Sequence, residues 1–301
     1  MKKYLVYDVG GTSVKYSVMD EHANVLESSS SPTPPQGDGQ IYKFIIDTTK
    51  KYKNKWDLSG VALSVPAAVD VKTGYVHYAG QVTDFIGRSL KEELVDIGLP
   101  IELENDANCA TLAEKWKGNA QECNSFICMT IGTGIGGGIF LDGKLRRGRM
   151  GMAGEVGLMI MSPTQSLDTL VETSTFSRLG STWNLLNRVC LKTGEKLTGE
   201  ELIDRYNKKD HSVQEEVEAF FDAIAIGTAN LIHTLAPEKV LYGGGISEQS
   251  GFTNHINKRL KKIRPEIVEI TEIDVCKFRN LAGQVGALYN FLNIQKYDVK
   301  Q

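Results

Sequence analysis

Short runs of apolar residues, alternating with polar ones, predict strands at the start of the chain. "KYLVYDVGG" is a buried run that ends in a turn, and "SVKYSVMD" and "ANVLESSS" follow it as two alternating segments. These three strands should form a meander. A Pro/Gly-rich loop over residues 31–40 leads to a helix from about Ile41 to Lys53.

The same pattern continues through the next segment. "GVALSVPAAVD" predicts a strand that runs into a loop, and residues 89–98 predict a helix that ends at Gly98. "PIELEND" predicts a strand, and the helix after it begins at Asp106 and stops at Gly118. Strands alternating with helices are typical of an α/β fold.

After residue 123 the pattern restarts. "SFICMTIGTGIGGGIFLDG" reads as strand, glycine turn and strand, and a long helix covers about Val213 to Leu235. "KVLYGGGIS" is a strand that runs into a third glycine turn. Helices near 252–262 and 283–293 flank a strand at 272–277.

"DVGGTSVKYSVMD" and "IGTGIGGGIFLDG" form a weak internal repeat, because both read as strand, glycine turn and strand with a Thr in the turn. Such a repeat predicts two similar lobes with a cleft between them. We expect an N-terminal α/β lobe over residues 1–113, with the C-terminal helix, 283–301, packing back on it. The second α/β lobe should span residues 114–282.

The uncharged stretch from Cys123 to Leu141 is long enough to span a membrane. Glycine and threonine interrupt it too often for a strongly apolar helix, and closely spaced glycines disfavour helix. The apolar runs on either side also argue against a linker. We therefore expect two strands joined by a tight glycine turn.

Composition and charge exclude several classes of protein. Hydrophobic residues make up 41% of the 301 residues, and the net charge is −3, so nothing favours nucleic acid or an anionic membrane as a partner. The five cysteines form no CxxC pair, and the five histidines lack metal-ligand spacing. A reducing cytoplasm fits this cysteine usage, and the apolar run at the N-terminus is too short for a secretory signal.

The glycine turns have a chemical use. Successive backbone N–H groups in such a turn form a concavity that binds anions, usually phosphates. Thr12 and Thr133 add hydroxyl donors, and Asp8 is placed to hold Mg²⁺ through water. Two turns that face each other could hold the phosphates of a nucleotide, with the third turn, Gly243–Gly245, behind its adenosine. A single glycine-rich hairpin is usually only structural, but three in this order favour a function.

Five motifs, taken together, resemble the ROK family of sugar kinases and repressors. They are DxGGTxxK at 8–15, ENDAN at 104–108, IGTGIGGGIF at 131–140, GEVG at 154–157 and GGGIS at 243–247. The resemblance implies the two-lobed α/β fold of the actin/hexokinase-like (ribonuclease H-like) ATPases. It also implies that ATP, with Mg²⁺, phosphorylates a sugar hydroxyl, usually on C6, and that the protein is a homodimer. From the charge we expect neither nucleic acid nor a membrane as a partner.

The resemblance also assigns roles to residues. Asp106 would be the general base, and Asn105, Glu155, Glu172 and Ala67 would bind the sugar. From the residues alone, Asp106 also fits a helix N-cap, Glu155 a surface carboxylate and Glu172 a helix start. The expected MgATP site comprises Asp8, Gly10, Gly11, Thr12, Lys15, Gly132, Thr133, Gly134, Gly243, Gly244 and Gly245.

The chain departs from many family members at their structural zinc site. Those members carry GE[IV]GH followed by CxCGxxGCxE, whereas Leu158 stands here at the His position and residues 159–171 contain no Cys. We therefore expect no zinc site. The zinc-less sequence is similar to the family's bacterial β-glucoside kinases, which phosphorylate cellobiose, gentiobiose or aryl β-glucosides on C6. Leu158 would suit a site that admits an aglycone or a second ring.

Three other functions remain to be weighed. The chain could be another ROK hexose kinase, for N-acetylmannosamine or glucose. It could be a repressor of the family, but we expect no helix-turn-helix domain because the first strand begins at about Lys3. It could also be a non-catalytic sugar sensor, although such a protein would be expected to lose Asp106 or the glycine turns.

Overall fold

The computed structural model describes residues 1–162 and 166–298 and divides the chain into two compact units. Unit 1 consists of Met1–Lys117, Arg147–Ala153 and the residues from Asn280 onward. Unit 2 consists of Gly118–Arg146 and Gly154–Arg279. The boundaries lie a few residues from 113 and 282, and Arg147–Ala153 belongs to unit 1 although it lies far along the chain from the rest of that unit.

The described residues form the following strands: β1 (Lys3–Val9), β2 (Ser13–Asp20), β3 (Val25–Pro32), β4 (Leu58–Val65), β5 (Ala67–Val69), β6 (Val76–Ala79), β7 (Ile101–Asn105), β8 (Phe126–Ile131), β9 (Ile135–Leu141), β10 (Lys144–Leu145), β11 (Lys239–Gly243) and β12 (Glu272–Val275).

The α-helices are α1 (Gln40–Lys53), α2 (Leu90–Glu93), α3 (Asp106–Lys117), α4 (Leu170–Thr173), α5 (Phe176–Gly180), α6 (Thr182–Thr193), α7 (Gly199–Asn207), α8 (His211–Leu235), α9 (Phe252–Ile263), α10 (Ile267–Ile270) and α11 (Ala282–Asp298).

The sheet of unit 1 has the order β3-β2-β1-β4-β7. The strands β1, β2 and β3 are antiparallel neighbours, as the predicted meander requires, whereas β1, β4 and β7 run parallel. Seven of the eight residues of β4 are buried, as is typical of a parallel strand covered on both faces. The edge strand β3 carries the exposed serine run and marks the polar border of the sheet.

Helices cover both faces of this sheet. On one face, the hydroxyl of Tyr7 bonds the hydroxyl of Thr49 in α1 at 2.8 Å. On the other face, the rings of Tyr4 and Phe291 lie 5.2 Å apart between centroids, so α11 packs there. Because side chains alternate along a strand, Tyr4 and Tyr7 point to opposite faces and pack against different helices.

The sheet of unit 2 has the order β10-β9-β8-β11-β12. Here too an antiparallel series, β10-β9-β8, continues into parallel neighbours, β11 and β12. The strand order therefore repeats that of unit 1, as the two glycine hairpins in the sequence predict. The apolar helix α8 supplies much of the core of this unit, including Phe220, Phe221 and Ile224.

Two parts of the sequence prediction were wrong. Residues 89–98 form the short helix α2 and a separate 3₁₀ turn, Val95–Ile97, because i→i+3 bonds tighten the chain where Leu94 and Ile97 enter the core. The loop expected after the strand in GVALSVPAAVD is instead mostly a small antiparallel sheet, because β5 and β6 pair there after Pro66 interrupts the strand.

No helix in the described part of the chain is long and apolar enough to cross a membrane. The stretch from Cys123 to Leu141 is instead the hairpin of β8 and β9, in which Phe126 pairs with Phe140.

The contact between α3 and α11 depends on a glycine, which gives a test of the packing. A Cβ at Gly286 would overlap the backbone carbonyl of Cys109, which cannot rotate away. Although alanine is the better helix former, we expect Gly286→Ala to destabilise the protein by about 1–3 kcal/mol, as overpacked sites do. Gly199→Ala is the control, because its Cβ would meet only Thr182 at 3.8 Å. Equal denaturant midpoints for the two variants would contradict this packing.

Candidate active site

The parallel strands of unit 1 bring distant residues to one edge of the sheet. In the register, Asp8 of β1 lies beside Ser64 of β4, and Ser64 lies beside Glu104 of β7. Two strand spacings, about 10 Å, therefore separate Asp8 from the end of β7. The turn after β1 and the Asn105–Asp106 pair after β7 lie along the same carboxyl edge of the sheet.

Asp8 is a half-buried carboxylate with few partners. Its Oδ1 accepts a hydrogen bond from the hydroxyl of Ser64 at 2.8 Å, and Lys15 is its cross-strand neighbour. Burial raises the pKa of Asp8, and the Ser64 bond and the charge of Lys15 partly offset this rise. A Cβ at Gly283, at the start of α11, would overlap the Asp8 carboxylate, so glycine lets the helix approach it closely.

The first glycine turn, Gly10–Thr12, is open to solvent but anchored at each end. The N–H of Gly10 donates to the Ser13 carbonyl at 2.9 Å, and the hydroxyl of Thr33 donates to the Gly10 carbonyl at 2.6 Å. Gly11 donates its N–H to Oε1 of Gln81 at 3.0 Å. Gly11 and Thr12 are both exposed. These hydrogen bonds fix the turn, which exposes the Thr12 hydroxyl and the close-approach surface of Gly11.

The structure assigns the capping of α3 to Asn105 rather than Asp106. Oδ1 of Asn105 accepts the N–H of Asn108 at 3.0 Å, which is the N-cap bond, and Asp106 is the first residue of the helix. The amide of Asn105 also donates to Oδ1 of Asp106 at 3.0 Å and to the Ala67 carbonyl at 3.3 Å. The exposed Asp106 is therefore not the helix cap, and its carboxylate is oriented by its neighbour.

In unit 2, two glycine turns line one pocket. Gly132 from the β8–β9 turn and Gly245 from the turn after β11 meet there with Trp183 of α6, whose side chain is half exposed. The pocket has a volume of about 520 Å³, within the usual range for small-molecule sites. The N–H of Trp183 donates to the Gly132 carbonyl at 3.2 Å and holds α6 against the turn.

The glycines of unit 2 divide into two groups by their surroundings. A Cβ at Gly137 would meet the Gly154 carbonyl at 2.8 Å, and a Cβ at Gly244 would overlap the Ile131 carbonyl, so the fold requires both. A Cβ at Gly132 or Gly245 would meet no protein atom within 4 Å. The missing side chains at these two positions leave space within the pocket, which suggests that a ligand uses it.

The other expected residues of the second and third turns belong to the same region. Thr133 and Gly134 are exposed at the tip of the β8–β9 hairpin, where the hydroxyl of Ser177 accepts the N–H of Ile135 at 2.9 Å. Gly243 ends β11 beside Thr130 of β8. The turns are therefore neighbours because β8 and β11 are neighbouring strands.

The two expected sugar-binding carboxylates of unit 2 differ in environment. Glu155 is half buried and immediately precedes the 3₁₀ turn Val156–Leu158, and burial raises its pKa. Glu172 is exposed on the short helix α4. Ile160, which follows the 3₁₀ turn, and Thr175, which follows α4, form an isolated antiparallel β-bridge.

Leu158 lies half exposed in that 3₁₀ turn, where its side chain presents apolar surface. Of the segment expected to lack zinc ligands, Pro163, Thr164 and Gln165 lie outside the described residues. Within 1–162 and 166–298, no cluster of three or more His, Cys, Asp or Glu side chains could hold a metal ion. A cation at Asp8 would therefore need ligands from water or phosphate, as Mg²⁺ commonly has.

Sequence reasoning missed three residues that the structure places at these sites. Ser64 could have been found as a polar residue near the end of an apolar parallel strand. Gln81 gives no local signal, because it reaches Gly11 from a loop 70 positions away. Trp183 lies in a region for which no helix was predicted.

Comparison with known proteins agrees with these observations. Residues 4–293 match the model of the ROK family. A β-glucoside kinase from Listeria monocytogenes serovar 1/2a is 35% identical over 96% of this chain and 97% of its own length.

Two solved structures show the same fold. A ROK family protein from Streptococcus pneumoniae TIGR4, in complex with sucrose, is 30% identical with a TM-score of 0.86, covering 98% of this chain and 99% of that one. A ROK family glucokinase from Streptomyces griseus, in complex with glucose and AMPPNP, is 26% identical with a TM-score of 0.81, covering 95% and 98%. The hexokinase-like α/β fold and the resemblance drawn from the five motifs are thus confirmed, and the chain belongs to the ROK family.

Proposed function

We propose that this chain is an ATP-dependent sugar kinase that transfers the γ-phosphate of ATP to the C6 hydroxyl of a β-glucoside such as cellobiose. The observation that carries the proposal is the placement of Asp106. It is exposed at the sheet edge that also holds Asp8 and the first glycine turn, and Asn105 performs the capping that Asp106 would otherwise do.

Asp106 is the general base in this proposal. Its carboxylate accepts the proton of the sugar hydroxyl while the hydroxyl oxygen bonds to the γ-phosphorus and the bond from that phosphorus to the bridging oxygen of ADP breaks. The hydrogen bonds from Asn105 and from the Ala107 N–H, at 3.0 and 2.8 Å to Oδ1, fix the orientation of this carboxylate. Such positioning contributes much of the catalysis in phosphoryl transfer.

ATP is bound through the glycine turns. Gly10–Thr12 and Gly132–Gly134 lie against its phosphates, to which the hydroxyls of Thr12 and Thr133 donate, and Lys15 adds positive charge. The pocket that contains Gly132, Gly245 and Trp183 accepts the adenosine. Gly243 and Gly244 precede Gly245 in the turn that lines it. The open space beside Gly132 and Gly245 supports this assignment.

Asp8 is the residue that would hold Mg²⁺, through water. Burial disfavours its charged form, so the carboxylate gains from a nearby cation. When bound, the ion would neutralise charge on the phosphates. The charge of Lys15 and the Ser64 hydrogen bond favour the charged form and oppose the effect of burial on the Asp8 pKa, and the Ser64 bond orients the carboxylate.

The sugar is bound by Asn105, Glu155, Glu172 and the backbone at Ala67. Carboxylates and amides recognise sugar hydroxyls because each accepts or donates several hydrogen bonds in fixed directions. Glu155 is half buried, so an unmatched charge there is costly and a hydroxyl donor would relieve it.

Leu158 and the relatives support a β-glucoside acceptor. The half-exposed leucine offers an apolar wall to an aglycone or second ring, and the Listeria relative, 35% identical, is named a β-glucoside kinase. The Streptococcus neighbour binds a disaccharide, sucrose. We further propose that the enzyme works in the cytoplasm as a homodimer and needs no zinc.

An acceptor panel tests the substrate. We expect ATP-dependent phosphorylation of cellobiose, gentiobiose and an aryl β-glucoside to exceed that of glucose and N-acetylmannosamine. A zinc chelator should change none of these rates, because Leu158 stands at the His position of the family's zinc site and residues 159–171 contain no Cys. Preference for a monosaccharide would retain the kinase and reject the β-glucoside, whereas no transfer to any sugar would favour a sensor.

The base is tested by Asp106→Asn. The amide oxygen can still accept the Ala107 N–H, so the helix should form normally, but it cannot take a proton. We expect kcat to fall by about 10²–10⁴-fold while the sugar still binds by calorimetry. Asp47→Asn, at an exposed pair with Lys43, is the control. Turnover near that of the control would remove Asp106 from the role of base.

The nucleotide pocket is tested by Trp183→Ala. Loss of a stacking ring should raise the KM for ATP by about tenfold, since base–aromatic stacking contributes about 1–3 kcal/mol. The kcat should change little, because Trp183 is not placed near the transferred group. Leu191→Ala on the same helix, 88% exposed, is the matched control. An unchanged KM for ATP would place the adenosine elsewhere.

A further inference from the structure

A buried carboxylate lies directly before the proposed base. Glu104 is 1% exposed and lies near the end of β7, immediately ahead of Asn105 and Asp106. Both of its oxygens are engaged. Oε1 accepts the backbone N–H of Asn105 at 2.9 Å and the side-chain amide of Asn108 at 3.0 Å. Oε2 accepts Nε of Arg147 at 2.6 Å.

Arg147 connects this carboxylate to the C-terminal helix. Its Nε donates to Glu104 and its Nη2 donates to Oδ1 of Asn290 at 3.0 Å. Asn290 is 3% exposed and donates in turn to the carbonyl of Leu103 at 3.2 Å. The planar guanidinium thus holds β7 and α11 at a fixed separation, which a lysine ammonium could not do with the same geometry.

The network leads to the base in three steps. Arg147 orients Glu104, Glu104 holds the backbone of Asn105, and the amide of Asn105 donates to the carboxylate of Asp106. Each step is a hydrogen bond of 3.0 Å or less. Substitution of Arg147 should therefore change the orientation of the Asp106 carboxylate.

The network leaves one buried polar atom without a partner among the described residues. Oδ1 of Asn108 is buried and has no hydrogen-bond partner among the described residues, although its amide bonds Glu104. An unsatisfied buried acceptor and an ion pair whose carboxylate is fully buried both weaken the case that the network serves stability alone. They are compatible with a network that fixes the position of a turn.

Arg147 also begins the Arg147–Ala153 segment, through which the chain enters unit 1 before it returns to unit 2. Val69 and Gly151 pack so closely that a Cβ at Gly151 would lie 2.7 Å from the Val69 carbonyl. Glu155, a proposed sugar ligand, follows this segment by two residues. The anchor at Arg147 is thus the start of the chain segment that leads to Glu155.

We propose that Arg147 is a positioning residue that acts through Glu104 to orient Asn105 and Asp106 for phosphoryl transfer. This inference rests on the proposed kinase function. It assigns no direct contact between Arg147 and either substrate. The proposal predicts that substitution of Arg147 lowers kcat by a larger factor than it raises the KM for ATP.

The test uses the full-length protein with Arg147→Ala, Arg147→Lys and the neighbouring control Arg146→Ala. Arg146 pairs only with the exposed Asp142 in the part of the chain described, so its loss should change little. We expect Arg147→Ala to lower kcat about 100-fold, the usual cost of misplacing a catalytic group by about 1 Å, with the KM for ATP nearly unchanged. Arg147→Lys should recover only part of this loss.

Chemical rescue separates positioning from a general loss of structure. Arg147 is 33% exposed, so ethylguanidinium should reach the space left in Arg147→Ala and raise kcat with concentration. Ethylammonium, which lacks the planar fork, should not. Equal rescue by both cations, or a kcat equal to that of Arg146→Ala, would overturn the proposal.

Hydrogen exchange gives a readout that does not depend on activity. In Arg147→Ala and Arg147→Lys, the amides of residues 104–110 should exchange faster, while those of α8 in unit 2 keep the wild-type rate. Unchanged exchange at 104–110 would reject the positioning role even if the enzyme were fully active. Faster exchange in a protein that phosphorylates no sugar would instead retain the anchor and reject the proposed function. If Arg147→Ala fails to fold, Arg147→Lys and Glu104→Gln decide the question.

Discussion

The parallel register of β1, β4 and β7 is the constraint on which the site in unit 1 depends. It sets Asp8, Ser64 and Glu104 side by side at one sheet edge, although 96 residues separate the first from the last. The first glycine turn and the Asn105–Asp106 pair follow directly after these strands. Packing on both faces holds this register in place, because a slip by one residue would exchange the side chains of β4 and β7 between the two faces and break their packing against the helices. The polar groups at the edge are then arranged by short hydrogen bonds.

In unit 2, which has the same strand order, the glycines of the turns serve two purposes. β8 and β11 are parallel neighbours, so the turns that follow them meet at one pocket. Some glycines there are needed because backbone passes close by, as at Gly137 and Gly244. Others face space that no protein atom fills, as at Gly132 and Gly245. Dense glycine in this stretch thus reflects both packing and access for a ligand, and neither a membrane span nor a linker.

The sequence predicted those parts of the structure that depend on local patterns. The meander, the glycine hairpins, the helix that begins at Asp106 and the family follow from periodicity and from five motifs. The fragmented helix at 89–98 could not be predicted, because tertiary packing of Leu94 and Ile97 decides its shape. The partnership of Arg147 with Glu104 and that of Gln81 with Gly11 join residues 43 and 70 positions apart, so no local pattern reports them. The sequence allows either Asn105 or Asp106 to cap α3, and the hydrogen bond from the Asn108 N–H to Asn105 assigns the cap to Asn105.

The central claim is that this chain transfers the γ-phosphate of ATP to the C6 hydroxyl of a β-glucoside. The most direct measurement is the position of the new phosphate in the product formed from cellobiose and ATP, determined by ³¹P and ¹³C nuclear magnetic resonance. We predict one phosphate monoester, on C6 of the non-reducing ring, formed in equal amount to ADP. A phosphate on an anomeric carbon, or release of ADP and inorganic phosphate without any sugar ester, would contradict the account.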